Sequence, residues 1–114
     1  MPSRVKNNSR RITLAVTTVE KKADALRIAD LLIRERLAAC VNIVPGITSL
    51  YRWKGRTVKA REYLLIIKTR TGLVQRLGKR IREVSPYELP EFIVVDRIQG
   101  DREYLDWISA STQP

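Results

Sequence analysis

The five residues Tyr63-Leu64-Leu65-Ile66-Ile67 are apolar without interruption. In a strand, successive side chains point to opposite faces of the sheet, so such a run puts apolar side chains on both faces. A strand with one wet face would alternate instead. The run therefore requires a sheet covered on both sides, in a chain of 114 residues. A chain of that length is expected to build one domain around one modest core.

The flanking segments switch between two periods. Ile12 to Thr18 alternates Ile12, Leu14 and Val16 with Thr13, Ala15 and Thr17, the period of a strand. Glu20 to Arg36 changes to helical spacing. Leu26, Ala29, Ile33 and Leu37 form its stripe, Ala25, Ile28 and Leu32 widen it, and Lys22, Asp24, Arg27, Asp30, Arg34 and Glu35 lie mostly opposite. Cys40 to Trp53 reads as one long bent strand with a bulge at Pro45-Gly46, because proline in sheets sits mainly at edges and bulges. Lys54-Gly55 is a hairpin turn, and Arg61 to Lys68 is the return strand. Thr71 is placed to cap a second helix with Leu73, Leu77, Ile81 and Val84 on its dry side and Arg76, Lys79, Arg80 and Arg82 on its wet side. Gly78 in its interior costs helix stability and permits close packing. Ser85-Pro86 ends it, since the residue before proline leaves the helical region. Phe92 to Val95 gives a fourth strand. Asp101 then caps a terminal helix whose apolar side carries Tyr104, Leu105, Trp107 and Ile108.

The order β-α-β-β-α-β predicts an α+β ferredoxin-like fold. It has an antiparallel sheet, two helices on one face and a short C-terminal helix. Residues 12–114 are read as this single domain, and residues 1–11, polar and basic, as a flexible arm with no secretory-type apolar core. Two helices cover one face of the sheet. The run at Tyr63–Ile67 demands a second cover, and a copy of the same sheet is the simplest one. The hairpin ending at Trp53-Lys54-Gly55 also reaches past a compact domain. Self-association is thus expected on physical grounds.

Composition narrows the chemistry. There is no histidine, which removes the commonest general base at neutral pH and the commonest transition-metal ligand. Cys40 is the single cysteine, so no intrachain disulfide can form and a reducing cytoplasm is the expected compartment. No apolar run approaches the length of about 20 residues that spans a bilayer. Lys and Arg number 22 against 12 Asp and Glu, a net charge of +10, which favours anionic partners and solubility alike. The basic stretches Arg52–Arg61 and Arg76–Arg82 are dispersed, and the central strands offer aliphatics rather than base-stacking aromatics, so nucleic acid is not the expected partner. Glu88 and Glu91 could pose as an acid/base pair, but no nucleophile or phosphate loop accompanies them, and no catalytic residue is assigned.

Several segments taken together carry a resemblance. Glu35-Arg36-Leu37-Ala38-Ala39-Cys40-Val41-Asn42-Ile43 with Pro45-Gly46-Ile47 resembles the signature segment of the CutA divalent-cation tolerance family. Ser49-Leu50-Tyr51-Arg52-Trp53-Lys54-Gly55 resembles its hairpin, and Glu62 with Ile67-Lys68-Thr69 its return strand. Pro86-Tyr87-Glu88-Leu89-Pro90-Glu91 resembles its loop before the last main strand, and Gly100-Asp101 with Tyr104-Leu105-Asp106-Trp107-Ile108 its terminal helix. The likeness runs in order from Ile12 to Ala110.

That resemblance implies a homotrimer with hairpins paired between subunits, a role in tolerance of copper and other divalent cations, and no enzymatic activity. It implies Cys40 as a metal ligand, Tyr51 and Trp53 at the trimer interface, and an inter-subunit pocket drawing on Trp53, Glu62, Lys68, Tyr87 and Glu91. One position departs. The family's loop reads His-Pro-Tyr-Glu, and Ser85 stands where that histidine, a proposed copper ligand, is expected. Serine is a poor ligand for a soft or borderline cation. The trimeric plan is shared with the PII nitrogen-regulatory family, so a small anionic ligand at subunit clefts is the second reading and nucleic-acid binding through the basic surface the third.

Overall fold

The computed structural model describes residues 11–114; the greater part of the expected basic arm, residues 1–10, lies outside the described residues. Four strands form one antiparallel sheet: β1 (Ile12–Val19), β2 (Cys40–Trp53), β3 (Arg56–Arg70) and β4 (Ile93–Val95). Their order across the sheet is β2-β3-β1-β4. The helices are α1 (Lys22–Arg34), α2 (Val74–Val84) and α3 (Arg102–Ala110). This is the ferredoxin-like arrangement that the alternating periods imply.

One face of the sheet meets α1 and α2. Ala15 and Val19 of β1, Leu65 and Ile67 of β3, Ala25, Ile28 and Leu32 of α1, and Leu77 and Ile81 of α2 share one buried cluster. Each fully buried leucine or isoleucine there stabilises the fold by roughly 1.5–3 kcal/mol. The buried row of α1 is Ala25-Ile28-Leu32, whereas Leu26 and Ile33, expected at the centre of the stripe, are 53% and 40% exposed. The two rows are adjacent on the helix and both apolar, so periodicity cannot choose between them; the sheet does.

Two local signals resolve as turns. Arg36 sits at φ 59° just past α1, with its own amide bonded to the Ile33 carbonyl and the Leu37 amide to that of Leu32. That is a Schellman closure with arginine in the place glycine usually takes. Lys54 and Gly55 both have positive φ, 51° and 79°, as a two-residue type I′ hairpin turn requires. Thr71 does not cap α2. It begins a 3₁₀ turn, Thr71–Leu73, and its hydroxyl lies 2.8 Å from that of Thr13. Asp101 caps α3 as expected, accepting from the Tyr104 amide at 3.0 Å. Gly78 packs on Phe92: a Cβ there would lie 2.9 Å from the ring.

The second face is covered only at one end. Alternation along β3 puts Leu64, Ile66, Lys68 and Arg70 on that face. Lys68 and Arg70 reach Tyr104 and Thr112, in and just beyond α3. Further along, Leu14, Val16, Leu64 and Ile66 are half-buried, while Val44, Ile93 and Val95 are 38%, 55% and 50% exposed. Beyond this face the β2–β3 ribbon continues alone. No residue from Cys40 to Arg61 is buried. The molecule measures 54 × 25 × 23 Å with a radius of gyration of 15.3 Å. A compact domain of this length would have a radius of about 13 Å.

Candidate functional site

A cavity of about 670 Å³ opens where the ribbon leaves the sheet, next to the loop between α2 and β4. The β2–β3 register explains its walls. After the irregularity between Val44 and Ile47, Ile47 pairs with Glu62, Tyr51 with Val58 and Trp53 with Arg56. Ser49, Tyr51 and Trp53 thus share a face with Glu62, the same face as Leu64 and Ile66. The loop closes the far side. Ser85 leaves α2 in an extended conformation, and its hydroxyl accepts from the Tyr87 amide at 3.2 Å. That turn carries Tyr87, Glu88, Leu89, Pro90 and Glu91 to the cavity wall, opposite Thr18 of β1.

Charge inside the cavity is negative. Glu62 is only 5% exposed, and its Oε2 accepts from the Tyr87 hydroxyl at 2.5 Å. Burial first, and then the Glu62 carboxylate, push the Tyr87 phenol well above its ordinary range. Glu91 is half-buried on the same wall. Its carboxyl is shifted upward by burial and then by the nearby charge of Glu62. Among the described residues, neither Glu62 nor Glu91 forms an ion pair. At the rim, Lys54 lies 3.8 Å from Glu88 and 5.6 Å from the centre of the Trp53 ring.

The fold thus brings together four of the five residues expected in a pocket: Trp53, Glu62, Tyr87 and Glu91. It does not bring Lys68. That side chain sits toward the other end of β3, paired across the ladder with Cys40 and Leu14. It donates to the Tyr104 hydroxyl at 3.1 Å and lies 5.3 Å from that ring's centre. The bond to Tyr104 is the main reason its ammonium is held above the usual lysine range. Tyr51, expected at an interface, lines the cavity and is 41% exposed. Thr18, Ser49, Leu50, Glu88, Leu89 and Pro90 complete the lining; only the strand register could have singled out Thr18 and Ser49.

Cys40 stands apart at the start of β2, half-buried, with Sγ 3.8 Å from Asn42 Oδ1. Its cross-strand neighbour is the cationic Lys68. Among the described residues no group of three or more His, Cys, Asp or Glu is placed to hold a metal ion. One thiol beside an ammonium does not fit a copper centre, and among the described residues no second soft donor joins it.

Comparison with known proteins gives one consistent result. Residues 13–111 match the family model described as CutA1 divalent ion tolerance protein. The Divalent-cation tolerance protein CutA of Thermus thermophilus is 46% identical over 99 residues, covering 87% of this chain and 96% of that protein. Protein CutA of Mus musculus is 40% identical over 102 residues, or 90% of this chain but 58% of the mouse protein, so the chain spans little more than half of that longer relative. Among solved structures, CutA1 from Oryza sativa superposes with a TM-score of 0.87 at 41% identity, covering 90% of this chain and 94% of that one. The divalent cation tolerance protein of Thermus thermophilus gives 0.86 at 44% identity, covering 90% and 99%.

Proposed function

The chain belongs to the CutA1 divalent ion tolerance family, and on that premise we propose that it serves divalent-ion tolerance as a non-enzymatic homotrimer. The observation that carries this reading is the uncovered sheet face together with the unsupported ribbon. Leu14, Val16, Leu64, Ile66, Ile93 and Val95 form a continuous apolar surface, and a contiguous exposed patch of this kind marks an association site. An isolated two-stranded hairpin is marginal in water, so the ribbon from Ile47 to Arg61 needs a neighbour to hold it straight. Copies of the same surface satisfy both needs, and the family resemblance supplies the number three.

Copper specificity receives no support from one chain. A thiolate site on Cys40 would need donors from other copies, against the charge of Lys68. An anionic ligand, the regulator-like alternative, would meet Glu62 and Glu91 in the cavity, charges of the wrong sign. We assign the chain to a reducing compartment such as the cytoplasm, on the single unpaired thiol.

Light scattering on the eluting protein checks the assembly, and a mass three times the 13.1 kDa chain is expected. Calorimetric titration with Cu²⁺ and with Cu⁺ checks the metal. Binding unchanged in Cys40→Ala is expected, and binding abolished by that change would restore the thiolate site.

A further inference from the structure

We propose that the roof-side face of the ribbon, carrying Arg52, Lys59 and Arg61, is a docking surface for the phosphate backbone of double-stranded nucleic acid. It lies across the ladder from Tyr51, Trp53 and the buried Glu62, and so from the apolar surface that neighbouring copies cover. The proposal goes beyond divalent-ion tolerance and does not depend on the number of copies.

Along the chain these cations are scattered; the ladder gathers them. Thr48 pairs with Arg61, Leu50 with Lys59 and Arg52 with Thr57. Paired residues share a face and successive residues alternate, so these six side chains stand on the side of Leu65 and Ile67, the side of the helical roof. All six are exposed, while Ile47, Ser49, Trp53, Val58 and Ala60 on the other side are half-buried. Charge on this face has no local answer. Residues 47–61 hold five of the 22 Lys and Arg and none of the 12 Asp and Glu. On the roof, by contrast, Arg27 pairs with Asp24, Arg34 with Asp30, and Arg80 with Glu35 and Glu83. Among the described residues, Arg52, Lys59 and Arg61 form no ion pair. Such a cluster of like charges steers an anionic partner toward the projecting ribbon.

The remaining side chains select the kind of anion. Arginine and lysine contact phosphate oxygens, and threonine hydroxyls such as those of Thr48 and Thr57 add hydrogen bonds to the same backbone. Leu50 is the single large apolar residue of the six and is 67% exposed. One leucine makes neither the apolar, aromatic centre of a protein interface nor a membrane-inserting face. A single strand binds by stacking its bases on aromatic rings, and here Tyr51 and Trp53 belong to the other face. A duplex presents its phosphates outward and needs no stacking platform, and its major groove admits a two-stranded ribbon. Contacts of this kind carry affinity without reading sequence.

The test is fluorescence anisotropy of the full-length protein with a labelled DNA duplex of about 20 base pairs, two helical turns, and with one of its strands alone. Salt is varied from about 50 to 200 mM. Saturable duplex binding is expected, with a Kd of roughly 10⁻⁶–10⁻⁴ M at physiological salt and weaker binding of the single strand. The triple variant Arg52→Gln, Lys59→Gln, Arg61→Gln should weaken duplex binding by about tenfold or more. It should also flatten the dependence of log Kd on log salt by about one for each cation removed. A charge-matched variant of the roof, Lys22→Gln, Lys79→Gln, Arg82→Gln, removes three exposed cations that form no ion pair among the described residues. It should cost no more than about threefold. The native mass of both variants is measured in parallel. Absence of duplex binding at the lowest salt overturns the proposal. So does equal weakening by the two variants, which would reduce the effect to net charge, or tighter binding of the single strand. Loss of assembly in the ribbon variant would place these cations between copies, and that overturns it too. A stronger response to polyglutamate or to phosphatidylserine vesicles than to the duplex has the same consequence.

Discussion

The helix-backed half of the sheet and the free ribbon are built from the same two strands, yet they obey different rules. Between Leu64 and Lys68, β3 is flanked by β1 and β2 and roofed by two helices, and Leu65 and Ile67 are wholly buried. Between Arg56 and Arg61 the same strand has one neighbour and no roof, and nothing in it is buried. The first half is stabilised by its own chain. The second has backbone hydrogen bonds and a turn but almost no hydrophobic support. In a single polypeptide, stability therefore resides at one end of a 54 Å molecule, and the other end has little of its own. The candidate cavity lies at the junction, where the buried Glu62 and half-buried Glu91 coexist with an opening to solvent.

The largest expected effect contrasts the two halves directly. Leu65→Ala should lower unfolding free energy by about 2–5 kcal/mol, through lost burial and the cavity left behind. Leu50→Ala, at a side chain 67% exposed, should change it by no more than about 0.5 kcal/mol in denaturant titrations of dissociated protein. Equal effects would break the distinction between the halves.

Gly78→Ala sharpens the account of how tightly the roof sits. A Cβ would press on the Phe92 ring at 2.9 Å. The expected loss is about 1–2 kcal/mol by thermal unfolding, after allowing for the helix propensity gained. A stabilised variant would mean that Phe92 moves freely. Thr17→Val probes the same interior from the polar side. Its hydroxyl is buried without a hydrogen-bond partner, so the near-isosteric change should be neutral or stabilising by about 1 kcal/mol.

The smallest effect belongs to the junction. The Glu91 carboxyl titrates above its ordinary value, so the folded chain holds its proton more tightly than the unfolded chain. Stability from this group is fully present below the unfolded value and is lost as pH rises through the folded one. Glu91→Gln should therefore raise the melting temperature at pH 7 and lose that advantage toward pH 4. An advantage that grew on acidification would reverse the sign.

Much of this division can be read from residue order alone. The uninterrupted run at Tyr63–Ile67 already implied two covered faces, and the switch of period at Glu20 and Thr71 marked the helical roof. Less legible was the ribbon. Arg56 to Arg61 carries only Val58 and Ala60 as apolar residues, both on one face, an alternation too short to extend β3 from Arg61 back to Arg56. Thr71 looked like a cap because threonine suits one, but its hydroxyl is taken by Thr13, a partner 58 positions away. The cavity was legible only in part. Trp53, Glu62, Tyr87 and Glu91 stood out through motif resemblance, while the displacement of Lys68 follows from the strand register that pairs it with Cys40. Which sign of charge the cavity carries could not be summed from a +10 chain; it depends on which side chains the ladder turns inward.

The central claim is that the exposed sheet face is an interface between copies. Native mass spectrometry of the wild type beside Ile66→Lys tests it most directly. The account predicts three times the 13.1 kDa chain mass for the wild type, and a monomer with unchanged far-ultraviolet circular dichroism for the variant. A monomeric wild type, or a variant that assembles as the wild type does, would contradict it.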